Sequence, residues 1–342
     1  MTDEQIQQLS ETFLKQMNSL SDVEFVKSPF VIKEMLSLKK KIFKDNKKKT
    51  DEEIKTFLKD FSEDGKNFTE YRKDIEAQLS KIMSPEKLAE LNTLISQALV
   101  NIEKNEYWQS MNHPKGQFEA KSVELCLPEN RAGRCFRAKM DDVTNKDVVT
   151  INPIAYRYYL NNCKVEDELT CTEAFIIHEL THGDQYNRIY EKSGNIHDIP
   201  TDYMPSLNTK SSQQEQKSLP LEEDVLLLRD AIWEADTRST ACKCIVDKSN
   251  IDKSSKEEVI EMQLMGNQEI KNEAKENILN AKNHKEIFFE ILSNYTVELK
   301  KHRHQKTGES ISFSENVTEF VKDVYDEKNM EIMTLLFKML RL

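Results

Sequence analysis

Glycine is scarce in this chain and unevenly placed, and that limits what the chain can fold into. Of seven glycines in 342 residues, the first hundred hold only Gly65 and the last hundred only Gly266 and Gly308. Gly116, Gly133, Gly183 and Gly194 crowd the middle. A glycine inside a helix costs about 1 kcal/mol relative to alanine, so long stretches without one suit helices, and a glycine-bearing stretch suits turns and strands. The distribution predicts an α+β fold that is predominantly helical. An N-terminal helical region (1–110) and a C-terminal helical region (248–342) flank a mixed core (111–247). At this length one unit with substantial additions is expected, since typical domains run to about 100 to 150 residues.

The local patterns agree with that division. Thr2-x-x-Gln5 reads as a capping box ahead of Ile6, Leu9, Phe13, Met17 and Leu20, and Thr50-x-x-Glu53 as another ahead of Ile54, Phe57, Leu58 and Phe61. Ser84-Pro85 places an N-cap and an N1 proline before Leu88, Leu91, Leu94, Ile95 and Leu99. Between 116 and 153 the period changes. The runs 118–127, 134–140 and 148–151 are short and alternating or β-branched, which predicts a small antiparallel sheet. Thr170-x-x-Glu173 then reads as the cap of a helix entered through Ala174-Phe175-Ile176-Ile177. The polar stretch 194–220 is expected to be a loop, and a second central helix is expected over 221–244. Ser312-x-x-Glu315 caps a predicted final helix bearing Val317, Phe320, Val321 and Val324.

Charge and cysteine usage exclude several classes of function. A net charge of -11, with lysines interleaved among carboxylates, argues against a nucleic-acid groove, because neutralising phosphates needs a basic surface. Clusters such as Lys39-Lys40-Lys41 and Lys300-Lys301-His302-Arg303-His304 read as solvated helix ends. The first residues carry no basic segment followed by an apolar one, and no run of 18 apolar residues occurs. The expectation is a soluble chain made in the cytoplasm, with no transmembrane segment. Six cysteines, all between Cys126 and Cys244, are too few for a disulfide scaffold, and buried small side chains in one core are the favoured reading. The helical stripes are core surfaces first and partner surfaces second.

The chemistry lies in His178-Glu179-Leu180-Thr181-His182. One helical turn takes 3.6 residues, so His178 and His182 share a face and can offer two ring nitrogens to one tetrahedral ion at about 2.0 Å. Glu179 is rotated by about 100° from His178, where it borders the ion as a general base without being a main ligand. A catalytic zinc site needs a third protein ligand. Glu234 is the strongest candidate, on a helix whose Leu226, Leu227, Leu228, Ile232, Trp233 and Ala241 make an unpaired carboxylate costly. Asp230, Glu222 and Glu223 remain alternatives. Cys171 as a thiol nucleophile is set aside, since seven residues of helix place it roughly 10 Å from His178.

His178-Glu179-x-x-His182, with Glu234 some fifty residues later, resembles the zincin metallopeptidases that take a glutamate as third ligand, the gluzincins. The text Glu234-Ala235-Asp236-Thr237-Arg238 is similar to that of poorly characterised bacterial metallopeptidases, some of which are delivered into host cells as effectors without a signal peptide. A fainter likeness is to the mitochondrial metallopeptidases that process ATP synthase subunits. The resemblance spans about 116–247 and departs from thermolysin's pattern at Arg238, where that family has an aspartate bonded to the first histidine. It implies a zincin-like core of a small sheet, a His178-Glu179-x-x-His182 helix and a second ligand helix. It also implies zinc as cofactor and hydrolysis of a protein or peptide substrate, with Glu179 moving the water's proton to the leaving amine. Asp236, Asp230 or Asp184 would orient a ligating histidine. Tyr186, His197 or Tyr203 would stabilise the oxyanion, and Val148-Val149-Thr150-Ile151 would be the strand that aligns substrate. The competing expectation is a mainly helical interaction protein on a catalytically silent scaffold.

Overall fold

The computed structural model describes residues 1–44, 49–111, 113, 120–129, 133–137, 147–163, 167–193, 234–266 and 268–294. The described residues are predominantly helical with a small sheet, and they fall into two compact units. The first unit takes Met1–Gln97, Ser122–Phe136 and Val148–Val165, and the second takes Ala98–Lys121, Arg137–Asp147 and Glu166–Leu342.

In the first unit, α1 (Asp3–Ser19), α2 (Asp22–Lys27), α3 (Lys33–Ile42), α4 (Asp51–Lys59) and α5 (Phe68–Ile82) precede α6 (Pro85–Glu103), which runs on into the second unit. The capping boxes at Thr2 and Thr50 form as predicted, and Ser84 Oγ accepts from the Lys87 amide at the start of α6. Two more boxes, Ser21 with Glu24 and Asn67 with Glu70, were legible by the same rule. Between α4 and α5 a two-residue turn joins β1 (Ser62–Glu63) to the antiparallel β2 (Lys66–Asn67). Asp64 and Gly65 both have positive φ, 50° and 77°, as a type I′ hairpin turn requires, and Asp-Gly is a favoured sequence for it. Arg72 closes this unit's surface by pairing with Asp22 and Glu76 and lying 4.5 Å over the Phe25 ring.

Three strands, β3 (Ala120–Leu125), β4 (Gly133–Arg137) and β5 (Asp147–Ile151), form where the alternating runs predicted them, in the order β3-β5-β4. The helix that carries His178 and His182 does not follow β5 directly. Asn152 accepts from the amides of Ile154 and Ala155, and Pro153 opens α8 (Pro153–Cys163).

The second unit contains the end of α6, α7 (Glu106–Ser110), α9 (Glu168–Ser193), α10 (234–246), α11 (Lys253–Gln263), α12 (Gln268–Leu279) and α13 (284–294). The expected cap at Thr170 is corrected: Asp167 Oδ1 accepts from the Thr170 amide, so α9 begins earlier. Glu173 is released from capping and lies buried, where Asn101 and Lys248 bond its two oxygens. A carboxylate this deep persists because it is paired and hydrogen-bonded. The predicted loop 194–220, the residues 221–233 of the second central helix and the helix expected after Ser312 lie outside the described residues. No helix among the described residues is long and apolar enough to cross a membrane.

His284 ties α13 to α10, its Nε2 lying 2.9 Å from Ser239 Oγ. Burial, and secondarily the charge of Lys243, push its pKa down to about 4. The unfolded chain takes up that proton near about 6.5. The stability His284 contributes is therefore present above about 6.5 and is lost as the pH falls toward 4, by up to about 3 kcal/mol. Urea unfolding across that window is expected to show the wild type losing roughly this much more than His284→Gln. Equal losses would remove His284 as the cause.

Candidate metal centre

The apolar run Ala174, Phe175, Ile176 and Ile177 is buried, which anchors the middle of α9 in its unit. A fully buried isoleucine contributes about 1.5 to 3 kcal/mol, so the two here hold the next turn firmly. That next turn carries His178 and His182, whose side chains are 15% and 14% exposed. Their rings meet edge to face, with centroids 4.9 Å apart. Glu179, beside His178, is 7% exposed.

Glu234 is the first described residue of α10 and faces this pair. Its Oε2 lies 3.7 Å from His178 Nε2 and its Oε1 lies 3.7 Å from His182 Nε2. One donor atom from each of the three residues lies within 4.8 Å of the others. These separations are too long for hydrogen bonds among the three groups. The two 3.7 Å separations are close to the about 3.4 Å at which ligands about 2.0 to 2.1 Å from a tetrahedral ion stand apart. Two imidazoles and a carboxylate are the donor chemistry of an open zinc site. Among the described residues, no other group of three or more histidines, cysteines, aspartates or glutamates is close enough to hold a metal. Asp230, Glu222 and Glu223, the alternative third ligands, lie outside the described residues.

The surroundings favour a neutral His178. Burial first, then the neighbouring His182 and Arg238, hold its pKa well below the usual range, against an opposing hydrogen bond to the Gln263 side chain. A neutral imidazole keeps the lone pair that a metal needs. His182 Nδ1 lies 2.9 Å from Gln185 Oε1, and Gln185 Nε2 donates to Asp236 Oδ2 at 2.8 Å. Burial, with Asp184 adding to it, raises the Asp236 carboxyl to about 8 against the Gln185 hydrogen bond. Of the aspartates expected as orienting groups, Asp236 is linked to His182 only by way of Gln185. Asp184 instead pairs with His113, whose Nδ1 is 2.6 Å away and whose Nε2 lies 2.8 Å from the Trp108 carbonyl. Asp230 lies outside the described residues.

Arg238 stands one helical turn beyond Glu234 on α10. Its Nε lies 3.4 Å from Glu234 Oε2, and its Nη1 donates to the Gln263 carbonyl at 2.7 Å. Gln185, Gln263 and His113 were missed in the sequence. Gln185 had a usable signal, three residues beyond His182 on one helical face, whereas Gln263 and His113 reach the site only through the tertiary fold. The Tyr186 side chain, His197 and Tyr203 lie outside the described residues.

Cys171, Cys242 and Cys244 are fully buried, as the core reading expected, whereas Cys126, in the first unit, is only partly buried. Burial drives the Cys242 thiol up to about 12 and the Cys244 thiol higher still, which makes both inert.

Comparison of the chain with models of known protein families, with curated proteins and with solved structures finds no match.

Proposed function

We propose that this chain is a zinc-dependent endopeptidase acting on a protein substrate. The observation that carries the reading is the convergence of His178 Nε2, His182 Nε2 and the two Glu234 oxygens from two helices, with Glu179 buried beside them. His178, His182 and Glu234 would hold the ion and leave one position open. When bound, zinc lowers the pKa of water toward about 7 and polarises a carbonyl. Glu179 takes the proton of the attacking water and returns it to the departing amine. Gln185 holds the His182 imidazole, and the buried wall of Ile176 and Ile177 keeps the histidine-bearing turn of α9 fixed. The helical regions recruit or restrict the protein substrate. Following the bacterial resemblance, we place synthesis in the cytoplasm and action after delivery into a host cell.

A second reading draws on Arg238. Its guanidinium beside Glu234 supplies charge compensation without an ion, and the chain would then be a helical interaction protein on a silent scaffold. Elemental analysis separates the two. About one zinc per chain is expected in the wild type, with loss in His178→Ala and His182→Ala. Equal zinc in all three chains would reject the site, and a zinc-free wild type purified under mild conditions would favour the scaffold.

A further inference from the structure

Two hydrogen bonds run in series from a ligand histidine to the helix that carries the third ligand. His182 Nδ1 meets Gln185 Oε1, and the other end of the same amide donates to Asp236 Oδ2. Gln185 and Asp236 are each 1% exposed, so water does not substitute for either bond. An amide has one accepting end and one donating end. With its NH₂ turned to Asp236, Gln185 presents an oxygen to His182, and this arrangement places the imidazole proton on Nδ1. The lone pair is then left on Nε2, the atom that faces Glu234. Asp236 lies two residues beyond Glu234 on α10, so the same bridge ties the spacing of His182 to the helix of the third ligand.

We propose that Gln185 is a positioning residue of the metal centre, which presets the His182 tautomer and docks the ligand-bearing turn of α9 onto α10. This inference rests on the zinc reading above. It assigns to a neutral amide the work done in many sites by a carboxylate directly on the histidine. A neutral partner fixes the ring without adding negative charge, so the ion would keep more of its own charge for polarising a substrate carbonyl.

Nitrogen NMR of histidine-labelled protein reads the tautomer, and competition with a chromophoric chelator reads the zinc affinity. In the metal-free wild type, His182 is expected to carry its proton on Nδ1. In Gln185→Leu that preference is expected to disappear, and zinc affinity to fall about 10 to 100-fold, the usual effect of removing an outer partner. Gln185→Glu, which keeps an accepting oxygen, is expected to recover most of the affinity. A merely structural glutamine would move neither the tautomer nor the rescue. Wild-type His182 protonated on Nε2, or zinc affinity of Gln185→Leu within about twofold of wild type, overturns the proposal alone. A wild type that binds no zinc overturns it together with the metal reading. The tautomer measurement needs no variant, so misfolding of Gln185→Leu leaves the test intact.

Discussion

Glu179→Gln is expected to keep its zinc and to lose hydrolysis by at least about 10² to 10⁴-fold, the range attributed to a positioned general base. The metal should stay because Glu179 lies outside the converging donor set of His178, His182 and Glu234. Glutamine matches the shape of glutamate, so the helix turn and the packing around a side chain only 7% exposed should survive. The base itself is lost, since an amide does not take up a proton near neutral pH. A peptide library incubated with equal amounts of zinc-loaded wild type and variant, and read by mass spectrometry, gives the ratio of turnover. Near wild-type turnover with full zinc would show that another group moves the proton. Loss of zinc along with activity would show instead that Glu179 supports the ligands. The same assay on the wild type also bears on the scaffold reading, which predicts no cleavage by either chain.

Much of the fold was legible wherever local chemistry decides it. The capping boxes at Thr2 and Thr50, the proline start at Pro85 and the three short strands lie within a few residues of their predicted places. These features depend on residues within one turn or one strand of each other. The misses have identifiable physical origins. The α9 cap moved to Asp167 because Glu173 is drawn to Lys248 and Asn101, an attraction between residues 75 and 72 positions apart that no local rule sees. Helix α8 was announced by Asn152-Pro153, a capping signal overshadowed by the motif that follows it. At the site, the histidine spacing was visible because helical periodicity alone creates it. Glu234 required the further argument that a carboxylate on an apolar helix needs a partner. Gln263, whose carbonyl accepts from Arg238, stands 85 residues beyond His178, and only the packing of α11 on α9 brings it near.

Glu234→Ala is expected to weaken zinc binding by more than the about 10 to 100-fold typical of losing an outer partner, because it removes one of three ligands. The rival view makes Glu234 the partner of Arg238 one turn along. On an exposed helix face such an i, i+4 pair contributes only about 0.2 to 0.5 kcal/mol. The geometry weighs against that pair as the main role of Glu234. Its separation from Arg238 Nε is 3.4 Å, longer than the about 2.7 to 2.9 Å of a tight charge-assisted bond, whereas Arg238 makes its shorter bond, 2.7 Å, to the Gln263 carbonyl. Both Glu234 oxygens are meanwhile aimed at imidazole nitrogens at equal distances of 3.7 Å. Arg238→Ala should therefore cost zinc affinity less than Glu234→Ala, by loosening the carboxylate rather than removing it. Chelator competition on the two variants and the wild type decides between the views. A mere salt-bridge partner would leave both variants holding zinc as the wild type does. A ligand would set Glu234→Ala apart, with affinity close to that of His178→Ala and His182→Ala.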